Sequence, residues 1–256
     1  MNDSGAYRIR LNGFWTATAL PDGRTRCTRR FGRPRTLDDD ESVWLTAATV
    51  PAPAVVAVNG HVLGATHKPR PFAFEIASPL EPRNAVTIDV RGPPEVVFHD
   101  VALEIRRLSF EPVRPSDYEF AHDLTRTNMS EFVARHWGDW DSDIFRKNFD
   151  GTENYLVYCC GSPVGFVRLM VAGDRLVLDD LQIVPGLQNQ GLGTWALKQV
   201  EAIALSRGCI AVRLRSFHEN PAYGLYRRVG FAIASAGEGA DWLEKSVVAA
   251  DSAELN

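Results

Sequence analysis

The sequence predicts two domains of different fold class, an antiparallel β-sandwich followed by a mixed α/β domain. The first observation is length, because 256 residues correspond to about two domains at roughly 150 residues each. The second is a change of pattern near residue 110, where short β-rich segments separated by Pro and Gly give way to strands that alternate with helical segments. We predict an all-β sandwich domain over residues 1–110, an α/β domain over 111–247 and a C-terminal tail over 248–256.

Composition and charge exclude several classes of protein. The chain has 45% hydrophobic and 23% charged residues, an ordinary globular balance. It has no apolar run near the roughly 20 residues of a membrane-spanning helix and no apolar secretion signal at the start, so we expect a cytoplasmic protein without a membrane partner. The net charge of −4 argues against a nucleic-acid partner. The four cysteines lack metal-ligand spacing, and we expect reduced thiols and no metal.

The charge is distributed unevenly along the chain. Residues 1–110 contain 14 Lys and Arg against 12 Asp and Glu, whereas residues 111–256 contain 14 against 20. The acidic second part favours a cationic substrate. Six arginines lie between Arg24 and Arg35, directly before the acidic run Asp38–Glu41. We interpret this stretch as a solvated or locally neutralised loop, with an anion-binding patch as the alternative.

The first domain contains β-rich segments and no helical period of useful length. Asn59-Gly60 lies between two apolar runs and predicts a two-residue β-hairpin. The alternation in VTIDV is typical of a half-buried strand. Such a pattern predicts an antiparallel sandwich. The predicted strand segments are 7–11, 42–50, 54–64, 72–76, 85–90 and 100–105.

The second domain begins after Pro112 and Pro115 with an amphipathic helix over residues 118–137. Ser116 is its predicted N-cap, and Glu119 completes a capping box. A later helix is predicted from about Thr194 to Arg207, and it ends at Gly208. The other predicted elements are strands over 153–160, 163–171, 175–184 and 209–217, a helix over 221–229 and a final strand from residue 231.

A glycine-containing loop connects the strand that ends at Pro185 to the helix near Thr194, and it reads QNQGLG. Gly191 and Gly193 allow a tight turn whose N–H groups converge on one point. At the N-terminus of a helix such donors form a pyrophosphate site without a lysine. Neither G-x-G-x-x-G nor G-K-[ST] is present, so the loop matches neither a dinucleotide fingerprint nor a Walker loop. Alone, the turn is equally compatible with a structural junction.

A second motif, NPAYGLYRRVGF, follows at residues 220–231. With it, the chain resembles the GNAT superfamily of acyl-CoA-dependent N-acyltransferases. Q-x-x-G-x-G after a strand ending in V-P resembles the family's acyl-CoA pyrophosphate loop, and N-P-A-x-x-L-Y-x-x-x-G-F resembles its second signature. Both occur in the family's order and spacing, and the resemblance covers about residues 112–247. It implies a GNAT fold with a mixed central sheet and acetyl-CoA as co-substrate.

The resemblance also implies roles for individual residues. The backbone of Ile183 and Val184 would pair with the pantetheine arm, and Asn220 would contact the same arm. Tyr226 would protonate the CoA thiolate after an amine attacks the thioester and an oxyanion forms near the Val184 N–H. The alternative for Tyr226 is a core tyrosine. The loop residues that would hold the pyrophosphate are Gln188, Asn189, Gln190, Gly191, Leu192, Gly193 and Thr194.

The general base departs from the family's pattern. Many relatives carry an acidic residue on the strand before the loop, at the place where this chain has Gln182, which cannot accept a proton. Asp180 lies on the same strand face and is our predicted base, acting directly or through water. His218 and Glu219 are alternatives.

The acceptor site is predicted from the segment after the first helix, which contains two Trp and three Asp within seven residues. It resembles a W-G-W-D stretch in one GNAT subgroup. We predict that Trp137 and Trp140 line the acceptor pocket, where an aromatic face attracts an ammonium group. We interpret the aspartates as structural, with Asp141 or Ser142 capping a second helix.

Residues 7–108 have a weaker resemblance to the jelly-roll, galactose-binding-like sandwich found beside many glycosidase catalytic domains. A V-N-G hairpin is followed by an F-x-F-E-I strand, by L-x-P-x-N at Leu80–Asn84 and by V-T-I-x-V. This resemblance implies a scaffold and no sugar site.

We predict an N-acetyltransferase that uses acetyl-CoA to acetylate a primary amine. A catalytically weak CoA-binding regulator is one alternative, because of Gln182. A carbohydrate-recognition module with an accessory GNAT domain is another, and the sandwich would then bind a carbohydrate or a protein. A homodimer is compatible with the sequence.

Overall fold

The computed structural model describes residues 7–38, 40–48, 50, 53–66, 71–76, 80–91 and 100–247. The chain forms two compact units. One comprises residues 1–109 with the short segments 159–162 and 189–191, and the other comprises residues 110–158, 163–188 and 192–256. The predicted tail over 248–256 lies outside the described residues, as do residues 39, 49, 51–52, 67–70, 77–79 and 92–99 of the segment that resembles a jelly roll.

The first unit consists of antiparallel strands in two sheets. One sheet has the order β2-β3-β8-β5-β6, and in the other β9 pairs with β1 and β4, and β4 with β7. The strands are β1 (Tyr7–Arg10), β2 (Thr16–Ala19), β3 (Arg24–Gly32), β4 (Glu41–Ala47), β5 (Ala54–Val58), β6 (His61–Thr66), β7 (Phe72–Glu75), β8 (Arg83–Arg91) and β9 (Val101–Pro112).

A single hydrophobic core joins these two sheets. Leu45 and Leu103 enter it from the β4–β9 sheet, and Val56 and Ile88 enter it from the β3–β8–β5 sheet. All four side chains are almost completely buried, as expected where alternate residues of each strand face a common interior. The predicted antiparallel, two-layered β region is therefore present.

The local predictions for this unit had mixed outcomes. Asn59 and Gly60 have φ angles of 51° and 82°, which confirms the two-residue hairpin between β5 and β6. The interpretation of the arginine-rich stretch as a loop is wrong, because most of it forms β3. Arg26 on this strand pairs with Asp89 of β8 at 2.7 Å, so a partner from a distant part of the chain neutralises it. Arg35 is neutralised locally by Glu41, also at 2.7 Å.

The second unit contains a mixed sheet with the order β14-β15-β13-β12-β11-β10. β12 and β13 pair in parallel, whereas β12 pairs with β11 and β15 pairs with β13 and β14 in antiparallel fashion. The elements are α1 (Tyr118–His136), α2 (Ser142–Asp150), β10 (Glu153–Cys159), β11 (Ser162–Ala172), β12 (Arg175–Ile183), α3 (Leu192–Ser206), β13 (Ala211–Phe217), α4 (Pro221–Arg228), β14 (Ala232–Ser235) and β15 (Ala240–Ser246).

The predicted α/β domain with a mixed sheet is confirmed, with three local differences. The N-cap of α1 is Asp117 and not Ser116, since a 3₁₀ turn over Pro115–Asp117 precedes the helix and the Asp117 carboxylate accepts the Arg114 N–H at 2.8 Å. Helix α3 begins two residues earlier than predicted, at Leu192. The final strand is followed by a further strand, β15, that the sequence did not predict separately. In the described part of the chain, no helix is long and apolar enough to cross a membrane.

Candidate active site

The parallel strands β12 and β13 separate part-way along their length. Their pairing ends at Leu178 and Leu214. Beyond this point β12 continues to Ile183 while paired only with β11, and β13 continues to Phe217 while paired with β15. The facing edges of the two strands are therefore no longer bonded to each other. Such an opening exposes strand backbone to which an extended ligand could add hydrogen bonds.

Backbone direction at the end of β12 corrects one expectation. The Val184 N–H donates to the Val164 carbonyl at 3.0 Å, on the β11 side. It is therefore not available to a developing oxyanion. Because N–H groups alternate in direction along a strand, the Ile183 N–H and C=O face the opening. The Ile183 carbonyl accepts hydrogen bonds from the side-chain amides of Asn128 and Gln188, both at 3.1 Å.

The glycine-containing loop leads directly into the N-terminus of α3. Asn189 and Gly191 have φ angles of 60° and 82°, so the backbone turns sharply twice within three residues. Leu192, the first helical residue, is buried and anchors this end of the helix. The first turn of α3 contains no acidic side chain, which leaves its positive end uncompensated by the helix itself. This arrangement fits an anionic phosphate group, as the motif predicts.

Tyr226 lies on α4 and is 7% exposed. Its ring packs against that of Phe231, with centroids 5.9 Å apart. Burial raises the pKa of the Tyr226 phenol well above its usual value, and the negative charge of Asp180 raises it further. The phenol is consequently protonated at neutral pH, as a proton donor must be. The influence of Asp180 also places these two predicted residues within electrostatic reach of each other.

Asp180 lies on β12 in a buried polar cluster. Its carboxylate pairs with Arg168 of β11 and accepts a hydrogen bond from the Gln182 amide at 3.0 Å. Gln182 is itself buried and accepts a hydrogen bond from Asn128 of α1 at 3.1 Å. Burial raises the pKa of the Asp180 carboxyl, although the charge of Arg168 and the bond from Gln182 act in the opposite direction. Sequence reasoning identified Asp180 but missed Arg168 and Asn128.

Asn220 is the N-cap of α4. Its side-chain oxygen accepts the Ala222 N–H at 2.8 Å, which fixes the start of the helix that carries Tyr226. The predicted contact between Asn220 and the pantetheine arm remains a prediction. The observed cap shows how the second motif orients α4 relative to the end of β13.

A second polar cluster joins β15 to the residues that follow β13. The buried Asp241 carboxylate accepts a hydrogen bond from the Tyr223 hydroxyl at 2.6 Å and lies 2.9 Å from Nε2 of His218. These two contacts, in that order, lower the pKa of Asp241 to about 2. Sequence reasoning missed Asp241 because its partners lie 18 or more positions earlier in the chain.

We expect the Asp241→Asn variant to lose an acid-dependent part of the protein's stability. The pKa of Asp241 falls from 3.8 to about 2 on folding, so its contribution is fully present above pH 3.8 and disappears as the pH falls toward 2. Urea unfolding across this interval should show a steeper pH dependence for the wild type than for the variant. Equal pH dependence in the two proteins would contradict this assignment.

The two predicted acceptor-site tryptophans occupy different environments. Trp137 is 65% exposed, and its ring lies 5.3 Å from that of Phe217 at the end of β13. Trp140 packs against Phe145 in the core under α1 and α2, and its indole N–H lies 3.3 Å from Nε2 of His122. Trp140 therefore packs as a structural residue, whereas Trp137 is accessible and its place in the acceptor pocket remains a prediction.

The aspartate after Trp140 has the structural role that we expected. The Asp141 side chain accepts the N–H groups of Asp143 and Ile144 at 2.8 and 3.1 Å and caps α2. The alternative base Glu219 lies 2.8 Å from Arg135 and 3.0 Å from His136. The His136 side chain and then Arg135 lower the pKa of Glu219, so both contacts favour its charged form.

Comparison with known proteins gives a family match in the second part of the chain. Residues 118–231 match a family model described as the acetyltransferase (GNAT) family. The thialysine N-epsilon-acetyltransferase of Mus musculus is 33% identical over 79 residues, which cover 30% of this chain and 45% of the mouse protein. This chain therefore spans less than half of that relative. The protein YdhI of Bacillus subtilis is 27% identical over 120 residues, covering 44% of this chain and 72% of YdhI.

Among solved structures, the chain is similar to a PaiA N-acetyltransferase of Thermoplasma acidophilum in complex with coenzyme A. The TM-score is 0.45 at 14% identity, with 54% of this chain and 98% of the other covered. By the family match, the C-terminal half of this chain contains a GNAT acetyltransferase domain.

Proposed function

We propose that this chain is an N-acetyltransferase that transfers the acetyl group of acetyl-CoA to a primary amine by direct attack. The observation that carries the proposal is the buried Tyr226 phenol, which is held protonated within electrostatic reach of Asp180, a residue of β12 beyond the point where β12 and β13 separate. The family match over residues 118–231 supports the same donor and reaction class.

Donor binding would use backbone rather than charged side chains. The N–H groups of residues 188–194 would hold the pyrophosphate at the start of α3. The free edge of β12 at Ile183 would bond to the pantetheine arm, with Val184 and Asn220 beside it. The Ile183 N–H, which faces the opening, is our proposed donor to the thioester oxygen. When bound, acetyl-CoA supplies the activated acetyl group.

The proton transfers would be divided between two residues. Asp180 would take the proton that the amine nitrogen loses as its bond to the carbonyl carbon forms. Tyr226 would give a proton to the sulfur as the carbon–sulfur bond breaks. The net result moves one proton from nitrogen to sulfur, and the proton held by Asp180 returns to Tyr226 before the next turnover.

The acceptor would approach beside Trp137. An exposed indole at the end of β13 offers a face to an ammonium group, and the acidic charge balance of residues 111–256 favours a cation. The mouse relative is named for acetylating the Nε of thialysine, which is consistent with an amine acceptor.

Substitution of the two tryptophans should separate binding from stability. We expect Trp140→Ala to lower the free energy of unfolding by about 3 kcal/mol, because it removes a core aromatic ring. We expect Trp137→Ala to change stability by less than about 0.5 kcal/mol, as is usual for an exposed residue, and to raise KM for the acceptor several-fold. Chemical denaturation and steady-state kinetics measure both. An unchanged acceptor KM in Trp137→Ala would remove Trp137 from the acceptor site.

Calorimetric titration with acetyl-CoA tests the donor site. We expect one-site binding in the micromolar range, about −8 kcal/mol. Because binding enthalpy can be near zero, equilibrium dialysis provides a second measurement. Absence of binding in both would overturn the proposal.

A CoA-binding regulator with weak catalysis is the second candidate, favoured by Gln182 at the position where relatives carry an acid. In the structure Gln182 connects Asp180 to Asn128 by hydrogen bonds, so it organises the neighbouring carboxylate instead of replacing it. Acetyl-CoA binding without turnover on any amine would favour the regulator.

For the first unit we propose a jelly-roll, galactose-binding-like scaffold over residues 1–110. The chain passes repeatedly from one sheet to the other, as from β3 to β4 to β5 and from β6 to β7 to β8, which is consistent with a jelly roll. A carbohydrate-recognition role would predict glycan binding by the full-length chain, and a glycan array tests it.

A further inference from the structure

Arg168 lies in the middle of β11 within an otherwise apolar run, GFVRLMV, and is 8% exposed. A buried arginine is uncommon unless it is paired. Its partners are two consecutive carboxylates of the neighbouring strand. Nε lies 2.9 Å from Oδ2 of Asp179, and Nη2 contacts Oδ2 of Asp180.

A β-bulge makes this double pairing geometrically feasible. Arg168 is the register partner of Asp180, but its neighbour Leu169 is the partner of Leu178, so Asp179 is an extra residue in β12. In a regular strand two consecutive side chains point to opposite faces, and only one could reach Arg168. The bulge turns both carboxylates toward the same guanidinium.

The remaining surroundings hold the guanidinium in place without competing for its charge. Its Cζ lies 5.6 Å from the ring centre of Phe145 on α2. Nη1 and Nε are both buried and make no hydrogen bond to any residue that the structure describes, so the contact of Nε with Asp179 is an ion pair without hydrogen-bond geometry. The two carboxylates are therefore the groups that determine where Arg168 points.

We propose that Arg168 is a positioning residue of acetyl transfer, which keeps the Asp180 carboxylate charged and holds it in place on β12. This inference rests on the proposed function, in which Asp180 takes the proton of the amine. A carboxylate buried without a cation would be neutral, and a neutral carboxyl group cannot accept that proton. Arg168 offsets this cost of burial for Asp180.

The groups around Asp180 change the pKa of its carboxyl group in opposite directions. Arg168 from β11 and Gln182 from β12 lower the pKa of Asp180, whereas burial and the adjacent Asp179 raise it. Helix α4 contributes the Tyr226 phenol, which is neutral. Helix α1 contributes the uncharged Asn128 amide, and it also carries His122, whose ring nitrogens contact Asp123 and Ser142. Removal of Arg168 and removal of Asp179 should therefore move the titration in opposite directions.

The test is the pH dependence of kcat/KM for the acceptor in the full-length chain. In Arg168→Gln we expect the acidic limb to move up by at least about one pH unit, the size of effect that an arginine has on a neighbouring aspartate. In Asp179→Asn we expect it to move down. Arg168→Lys, which keeps the charge, should return the limb most of the way to its wild-type position.

Arg175→Gln is the matched control. Arg175 is also an ion-paired arginine of this sheet, with Glu244 at 2.9 Å, but it lies at the other end of β12. The acidic limb of the kcat/KM profile of Arg175→Gln should coincide with that of the wild type.

Two outcomes would overturn the inference. One is an acidic limb that stays in place in Arg168→Gln while activity falls, which would show a purely structural role. The other is a shift in the same direction in Arg168→Gln and Asp179→Asn. If Arg168→Gln does not fold, Arg168→Lys and Asp179→Asn still decide the question. Failure of the wild type to bind acetyl-CoA would instead overturn the proposed function. Failure of this inference and failure of the proposed function are therefore distinguishable.

Discussion

The Tyr226→Phe variant is expected to lower kcat by about 100-fold to 10,000-fold, the usual contribution of a general acid, and to leave the affinity for acetyl-CoA almost unchanged. The substitution removes one oxygen from a buried side chain and keeps the ring that packs on Phe231. The fold should therefore persist while the proton donor to the CoA sulfur is lost. Steady-state kinetics and calorimetry with acetyl-CoA measure the two effects separately.

Tyr223→Phe is the matched control, because Tyr223 lies on the same helix and its hydroxyl donates a hydrogen bond to Asp241. It should lose some stability and keep most of its kcat. Turnover that survives unchanged in Tyr226→Phe would remove Tyr226 from the mechanism.

Replacing Gly191 with glutamate should weaken acetyl-CoA binding by at least about 100-fold. Gly191 has a φ of 82°, a conformation that a residue with a side chain rarely adopts. The added carboxylate would also repel the pyrophosphate at the start of α3, where the helix N-terminus otherwise attracts an anion. Calorimetric titration of the wild type and the variant measures the difference.

Two further variants separate charge from backbone strain. Gly191→Ala introduces the backbone strain and the clash of its Cβ with the Trp44 ring, but no charge, and should cost less affinity than Gly191→Glu. Gly186→Glu adds the same charge five positions earlier, where a Cβ meets no atom within 4 Å, and should bind acetyl-CoA nearly as the wild type does. Equal affinity of Gly191→Glu and Gly186→Glu would contradict the assignment of the loop. Thermal unfolding of all three variants identifies any loss of fold.

The features that sequence could predict are those encoded locally. The hairpin at Asn59-Gly60 follows from residues that tolerate positive φ, and the order of strands and helices after residue 112 follows from hydrophobic periodicity. The glycine-containing loop at residues 188–193 and the motif at residues 220–231 are each contained in at most a dozen consecutive residues. The sequence also shows the two motifs together, in the order and spacing of the family that they resemble.

The features that sequence could not predict depend on which strands become neighbours. From the sequence alone, the arginines of β3 predict a charged loop. The folded sheet instead pairs β3 with β8 and places Asp89 opposite Arg26. The direction of the Val184 N–H depends on the register of β11 against β12.

The cluster around Arg168 is the clearest case. A bulge of one residue determines whether Asp179 and Asp180 face the same guanidinium, and no local pattern encodes that bulge. The chemistry of the predicted base thus depends on a contact that only the folded sheet creates.

Acetyl transfer itself is the most direct test of the account. The full-length chain should be incubated with acetyl-CoA and a panel of amines that includes polyamines, aminosugars, amino acids and peptide amines. Acetylated amine, measured by mass spectrometry, and free CoA thiol should appear in equal amounts with at least one acceptor, and both should fall together in Tyr226→Phe. Free CoA that appears only at the rate of spontaneous hydrolysis, with no acetylated amine from any class, would contradict the proposed function.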